Sequence, residues 1–322
     1  DASYKYVFRT ASHTAMNNLA IAKYLIEMGY DTSSIAGVNQ NYAWGQNNWN
    51  DFNASIKQLY PEIRITNELF PKLFSGQYQT AISTLINSKP KIVHSSLWGS
   101  DLETFILQAK SSGLFKKTQV VFSLGDHVMP ILNNKYPTGV ILSASGQYGM
   151  MRPDTFLNNW FYNTYKEKYG LFPSHSPSKM VQAIMGLKMA IENVMKKNGG
   201  KKPNNEEIVK AFTNLEFESL GGLVQMKLGN GHQAVQPHAI GKTAKDKNGN
   251  IIIKDIIRYS SNCVNPPNGM KTKDWINFGF LKGNCSNLLK HNVIASKPKT
   301  KTYIKPKSTI SSAELNASKR EA

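Results

Sequence analysis

Ile92-Val93-His94-Ser95-Ser96-Leu97-Trp98-Gly99-Ser100-Asp101 is the stretch on which the fold turns. A short apolar strand, Ile92-Val93-His94, runs into a small polar loop holding one tryptophan, and a helix follows from Asp101 to Ser112. The same unit recurs on both sides. Upstream, a helix carrying Leu19, Ala22 and Ile26, capped by Ser12 or Thr14, stops at Gly29 before the strand Ile35-Ala36-Gly37-Val38. A second helix begins near Gly45, with Trp49, Phe52, Ile56 and Leu59 on one face, and the strand from Ile63 to Leu69 follows. Tyr78, Ile82, Leu85 and Ile86 mark a third helical face. Downstream lie the strands Val120-Val121-Phe122 and Val140-Ile141-Leu142. Strands this short and apolar, alternating with helices, predict a parallel sheet covered on both faces.

Beyond this region the pattern changes. Phe156, Trp160, Phe161, Tyr165 and Tyr169 mark one long helix; Met180, Ile184, Leu187, Ile191 and Met195 mark another. No strand separates them. From Gly222 the chain reads as a small antiparallel meander, with turns at Asn230-Gly231 and Asn248-Gly249 and a last strand from Ile251 to Tyr259.

The composition narrows the class. The 322 residues carry 40% hydrophobic side chains, which excludes a disordered chain, and no run reaches the ~18 apolar residues of a membrane span. Lys and Arg exceed Asp and Glu by 39 to 21, for a net charge of +18. Residues from His291 onward carry seven basic side chains against two acidic ones in a Ser, Thr, Pro and Lys background, so 281–322 reads as a polar, irregular tail. The rest is dispersed lysine. Arginine occurs only at Arg9, Arg64, Arg152, Arg258 and Arg320, so the arginine forks that read nucleic acid are missing and no nucleic-acid partner is expected. Cys263 and Cys285 leave room for one disulfide and rule out a four-cysteine zinc site.

Motifs for catalysis are weak. Gly229-Asn230-Gly231-His232-Gln233-Ala234 fits a dinucleotide fingerprint, but no helix can open before Pro237, so the string is a hairpin turn. Asp126 beside His127 could form a dyad, yet no serine or cysteine is placed as its nucleophile. No metal and no cofactor is expected. The loops after the parallel strands are the richer feature, because open parallel sheets bind ligands beyond the carboxyl ends of their strands. They read Asn39-Gln40-Asn41-Tyr42-Ala43-Trp44-Gly45, then Ser95 to Asp101, then Ser123-Leu124-Gly125-Asp126-His127. Tyr42, Trp44 and Trp98 suit the apolar part of a small organic ligand; Ser95, Ser96, Ser123 and Asp126 suit its polar part. Asp101 reads as a helix N-terminal residue facing the dipole.

The order of these motifs resembles a known family. Tyr6-Val7-Phe8-Arg9-Thr10 before a helix, Asn41-Tyr42-Ala43-Trp44-Gly45, Ser95 to Asp101, Gln108-Ala109-Lys110-Ser111-Ser112-Gly113-Leu114 and Gly231-His232-Gln233-Ala234-Val235-Gln236-Pro237 follow one another as in the leucine/isoleucine/valine-type periplasmic solute-binding proteins of ABC importers. The resemblance covers about Tyr4 to Phe280. It implies an α/β, type I periplasmic-binding-protein-like fold. In it, 1–142 plus 217–280 would form a complete lobe 2 with a parallel sheet and an antiparallel extension. Residues 148–215 would be the helical remainder of lobe 1, whose two long helices would be under-covered. Hinge crossings are implied at Ser143, Ala144, Ser145 and Gln147, and again at Phe217-Glu218-Ser219.

The implied function is capture of a small polar solute (a branched-chain amino acid, an amide or a related compound) by lobe closure, without catalysis. ABC permease subunits would be partners, and the complete protein would be a monomer, periplasmic or extracytoplasmic and membrane-tethered, with an export signal upstream of residue 1. Family members set a carboxylate against the ligand's ammonium in the Ser123 to Asp126 loop. Here Leu124 takes that position and Asp126 lies two residues later. A ligand-sensing domain with the same fold, and an α/β enzyme, are the alternative functions.

Overall fold

The computed structural model describes residues 4–267 and 269–280. The expected tail at 281–322 and Cys285 lie outside the described residues; Cys263 is buried. Five β-α units come first: α1 (Thr14–Glu27), β1 (Ser34–Val38), α2 (Ala43–Leu59), β2 (Arg64–Leu69), α3 (Gln79–Ser88), β3 (Ile92–Ser95), α4 (Gly99–Ser111), β4 (Gln119–Phe122), the short α5 (Met129–Leu132) and β5 (Ile141–Ser143). These five strands are parallel, in the order β2-β1-β3-β4-β5. Two antiparallel strands, β9 (His238–Lys245) and β10 (Ile251–Tyr259), extend the sheet beyond β5 to seven.

Alternation along each strand explains the two cores. Ala36, Val93, Val120, Phe122 and Leu142 point to one face, where α3 and α4 bring Ile82, Leu85, Leu102 and Phe105. Ile35, Ile92, Val121 and Ile141 point to the other, where α1 and α2 bring Ile21, Leu25, Trp49, Phe52 and Ile56. Successive side chains of a strand face opposite sides, so a strand buried on both must be apolar throughout. The expected parallel sheet is present. Neither expected cap of α1 acts as one: His13 holds the N-cap position, and the Thr14 hydroxyl donates to Asp51 instead.

The remaining elements build a second, smaller layer from α6 (Phe156–Tyr169), α7 (His175–Lys197), α8 (Asn205–Phe212), β6 (Glu216–Ser219), β7 (Gly222–Leu228) and β8 (Gln233–Val235). Here the sequence reading needs correction. The expected single meander is divided: β6, β7 and β8 form their own antiparallel sheet, while β9 and β10 join the large one. Pro237 stands at the division, lacking the N–H that a continuing ladder needs. The boundary at 217 therefore falls within a strand of the small layer. That layer holds three strands as well as helices. Phe212, Phe217, Val224 and Met226 pack with Ala190 of α7 as its core. Gly186 permits this packing, since a Cβ there would lie 2.7 Å from the Phe217 ring.

The opposite side of α6 and α7 is open. Phe156, Trp160, Met180, Ile184 and Leu187 are exposed, Phe156 to 89%. Single exposed apolar residues are ordinary, whereas a run of them along two helices forms an unpartnered face. Among the described residues no helix is long and apolar enough to cross a membrane.

Candidate ligand-binding site

The loops at the carboxyl ends of β1, β3 and β4 converge, as their sequence suggested. Ser96 N–H donates to Asn39 Oδ1 at 2.9 Å, tying the β3 loop to the β1 loop. Trp44 Nε1–H donates to the Ser96 carbonyl at 3.3 Å, and Trp98 Nε1–H donates to the Tyr42 hydroxyl at 2.7 Å. Tyr42 and Trp98, both half-buried, thus hold each other in place, and Trp44, also half-buried, is tied to the backbone of the same β3 loop. Gly45 lets α2 start close to the loop: a Cβ there would fall 2.0 Å from the Gln40 carbonyl oxygen. Asp101 lies in the first turn of α4, as expected, and accepts from Gln40 Nε2 and Phe74 N–H at 2.7 and 2.9 Å.

The predicted polar residues divide in two. Ser95 is occupied, its hydroxyl accepting from Leu97 N–H. Ser96 and Ser123 are fully buried, and among the described residues their hydroxyls have no partner, nor do the Asn39 Nδ2, Gln40 Oε1 and His127 Nδ1 atoms. Buried polar groups are nearly always paired, so several unpaired ones at the strand ends are informative.

Asp126 has a different role from the one its position suggested. Its Oδ1 lies 2.6 Å from His175 Nδ1, and its Oδ2 accepts from the His175 backbone N–H at 2.8 Å. His175 is the first residue of α7, so this contact joins the large sheet to the small layer. Burial alone would raise the Asp126 pKa. The charge and hydrogen bonds of His175, helped by His127, overcome it and hold the carboxyl below its ordinary value. Sequence reasoning missed His175; the available signal was Ser174-His175-Ser176-Pro177, a helix start facing the cleft.

Asp126, His127 and His175 have ligating atoms within 4.8 Å of one another. Their hydrogen bonds do not suit a metal. His127 Nε2 accepts from Gly99 N–H, which puts the ring proton on the unpartnered Nδ1, and His175 Nδ1 is committed to Asp126. Burial lowers His127 to about 4, so it stays neutral near pH 7. One turn along α7 from His175 stands Lys179. Burial lowers it to about 8 although Asp126 acts the other way, and among the described residues no carboxylate lies within ion-pairing distance of its ammonium.

The crossings between layers lie close to this site. The Ser143 hydroxyl donates to Asn17 Oδ1 and accepts from Ser145 N–H at 2.9 Å; Ser145 adopts a φ of 54°, and its carbonyl accepts from the Ser12 hydroxyl. Ala144 is buried between them. Gln147 reaches the Gly221 carbonyl and accepts from Arg258. The second expected crossing needs correction. Glu218 is paired with Leu223 inside the small sheet, and the chain passes between sheets at Gln236-Pro237 instead.

A two-layer α/β architecture, with aromatic and unpaired polar side chains gathered at the strand ends and chain crossings beside them, is the arrangement of a two-lobed binding protein. The family profile described as periplasmic binding protein matches residues 1–249, and the chain belongs to that family. No curated protein matches the sequence. Among solved structures it is similar to the leucine-, isoleucine-, valine-, threonine- and alanine-binding protein from Brucella ovis in its closed conformation, with a TM-score of 0.68 and 19% identity over 82% of this chain and 67% of that one. It is similar also to an ABC transporter solute-binding protein from Rhodopseudomonas palustris BisB5 in complex with 3,4-dihydroxybenzoic acid (TM-score 0.65, 19% identity, 81% and 69%). A third is an R. palustris solute-binding protein in complex with benzoate (TM-score 0.64, 18% identity, 77% and 64%). The chain thus spans about two thirds of the length of these structures, and at such identities the likeness is one of fold.

Proposed function

We propose that this chain is the solute-binding receptor of an ABC importer, holding a small polar organic ligand between the strand ends of the large sheet and the start of α7. The observation that carries this reading is the set of buried polar atoms, unpaired among the described residues, on the same strand-end loops as Tyr42, Trp44 and Trp98. A ligand would supply their missing partners and stack its apolar part on the rings. Ser96 and Ser123 would contact it directly, whereas Ser95 and Asp126 would act by shaping the cleft.

Asp126 is satisfied on both oxygens, so it offers little to a ligand ammonium. Lys179 is a partly buried cation, and among the described residues no carboxylate lies within ion-pairing distance of it. A ligand bearing a carboxylate is therefore favoured, consistent with the benzoates and amino acids named for the similar structures. In this reading the protein works in the periplasm as a monomer, presents the closed form to membrane permease subunits and catalyses nothing. The open face of α6 and α7 supports the further proposal that the lobe containing them is completed by another packed layer.

A thermal-shift panel of carboxylic acids, amino acids and amides on the full-length protein tests the proposal. A ligand at 100 times its Kd adds about 2.7 kcal/mol to stability. No shift with any member would sink the reading.

A further inference from the structure

Gln182 lies fully buried in the middle of α7, and its side-chain amide meets all three places where the chain passes between the two sheets. The first is Thr10, between Arg9, which bridges to Gln233 of the small sheet, and α1 on the large one. Gln182 Nε2 donates to the Thr10 carbonyl. The second is Tyr148, between β5 and α6; its hydroxyl donates to Gln182 Oε1 at 2.8 Å. The third is Gln236, between β8 and β9; its Oε1 accepts from Gln182 Nε2 at 2.8 Å. Ser219, the last residue of β6, donates to Gln182 Oε1 at 3.0 Å.

A primary amide offers two N–H donors and two acceptor lone pairs. All four are used here, each by a different segment. The backbone crowds around the knot: a Cβ at Gly146 would lie 2.4 Å from the Tyr148 ring and 2.5 Å from Gln236 Nε2, and one at Gly221 would lie 2.9 Å from Tyr148. Gln182 also shares a helical stripe with His175 and Lys179, at spacings of seven and three residues, so the pivot and the cleft wall are one rigid face of α7.

We propose that Gln182 is a positioning residue that sets the angle between the two layers by gathering the three crossings at one amide. Because the knot is fully paired, rotation of one layer on the other must stretch or exchange bonds at Gln182. An apolar side chain of similar length leaves the Thr10 carbonyl and the Tyr148 and Ser219 hydroxyls short of a partner, and the crossings then move independently. A carboxylate keeps the acceptors and loses both donors.

The test measures interlayer distance and needs no ligand, so it is separate from the solute-binding reading. Spin labels are placed at the exposed positions Lys57→Cys on α2 and Asn193→Cys on α7, in full-length protein carrying Cys263→Ser and Cys285→Ser. Pulsed dipolar spectroscopy then gives the distance distribution. The parent should show a narrow distribution, and Gln182→Met and Gln182→Glu should each widen it by about twofold at pH 7, a change that lowered stability alone would not produce. Tyr148→Phe and Ser219→Ala, which each remove one arm, should widen it less; they decide the matter if the Gln182 variants do not fold. Distributions as narrow as the parent's in every folded variant would overturn the proposal.

Discussion

Asp126 and His175 form a two-point clasp across the molecule, the carboxylate of one engaging both the backbone N–H and the ring nitrogen of the other. Both residues are buried, so removing one partner leaves a desolvated group uncompensated. Asp126→Asn should cost about 3–5 kcal/mol at pH 7. Since Asp126 titrates below its unfolded value near 3.9, its contribution is complete above that pH and is lost as the pH falls through the lower folded value. Urea melts at pH 7 and pH 3 should show parent and variant converging in acid. An equal gap at both pH values would refute the clasp's ionic character.

The buried histidines act at higher pH. His94 and His238 are fully buried, and desolvation lowers each to about 3. The unfolded chain takes up these protons from about pH 6.5 downward while the folded chain refuses them, so stability falls as the pH drops. Each histidine should remove up to about 1.4 kcal/mol per pH unit below 6.5. His94→Gln should flatten the slope between pH 6.5 and 5 by one proton, as read from denaturation free energies; a flat parent profile would contradict the assignment.

Lys179→Met should have opposite effects on stability and binding. Removing a partly buried cation that no carboxylate among the described residues pairs should raise the melting temperature. Affinity for a carboxylate ligand should fall by about tenfold or more, the worth of a charge-assisted hydrogen bond. A ligand-free thermal melt checks the first and calorimetric titration with the best acid from the panel the second; unchanged affinity would remove Lys179 from the site.

The open face of α6 and α7 should bind hydrophobic dyes and promote self-association. Trp160→Ser combined with Ile184→Lys should reduce dye fluorescence severalfold while changing stability by no more than about 0.5 kcal/mol per site. A large loss of stability would mean that the face is covered.

The centre of the large sheet was readable because β1, β3, β4 and β5 are buried on both faces. Val120-Val121-Phe122 can be little else than a short interior strand, and the helices between strands have clear apolar stripes. The loop aromatics were readable for a related reason: Tyr42 and Trp98 directly follow strands whose ends must converge in a parallel sheet. Two features were hidden. Period-two alternation continues on both sides of Gln236-Pro237 and does not say which sheet a strand joins. The partner of Asp126 comes from a helix that only the tertiary fold brings near, so a residue that looked free for a ligand was already engaged.

The position of β9 between β5 and β10 constrains the order of assembly during folding. The five parallel strands are close in sequence and can associate early, but the β5 edge has no β9 neighbour until the whole excursion from Ser143 to His238 has been made. Loop closure over that length adds little equilibrium cost, since it grows only with the logarithm of loop length. It does delay pairing, and an unpaired edge is where chains stick to one another. The folding protein is therefore most exposed to aggregation until the small layer has formed and β9 has paired with β5.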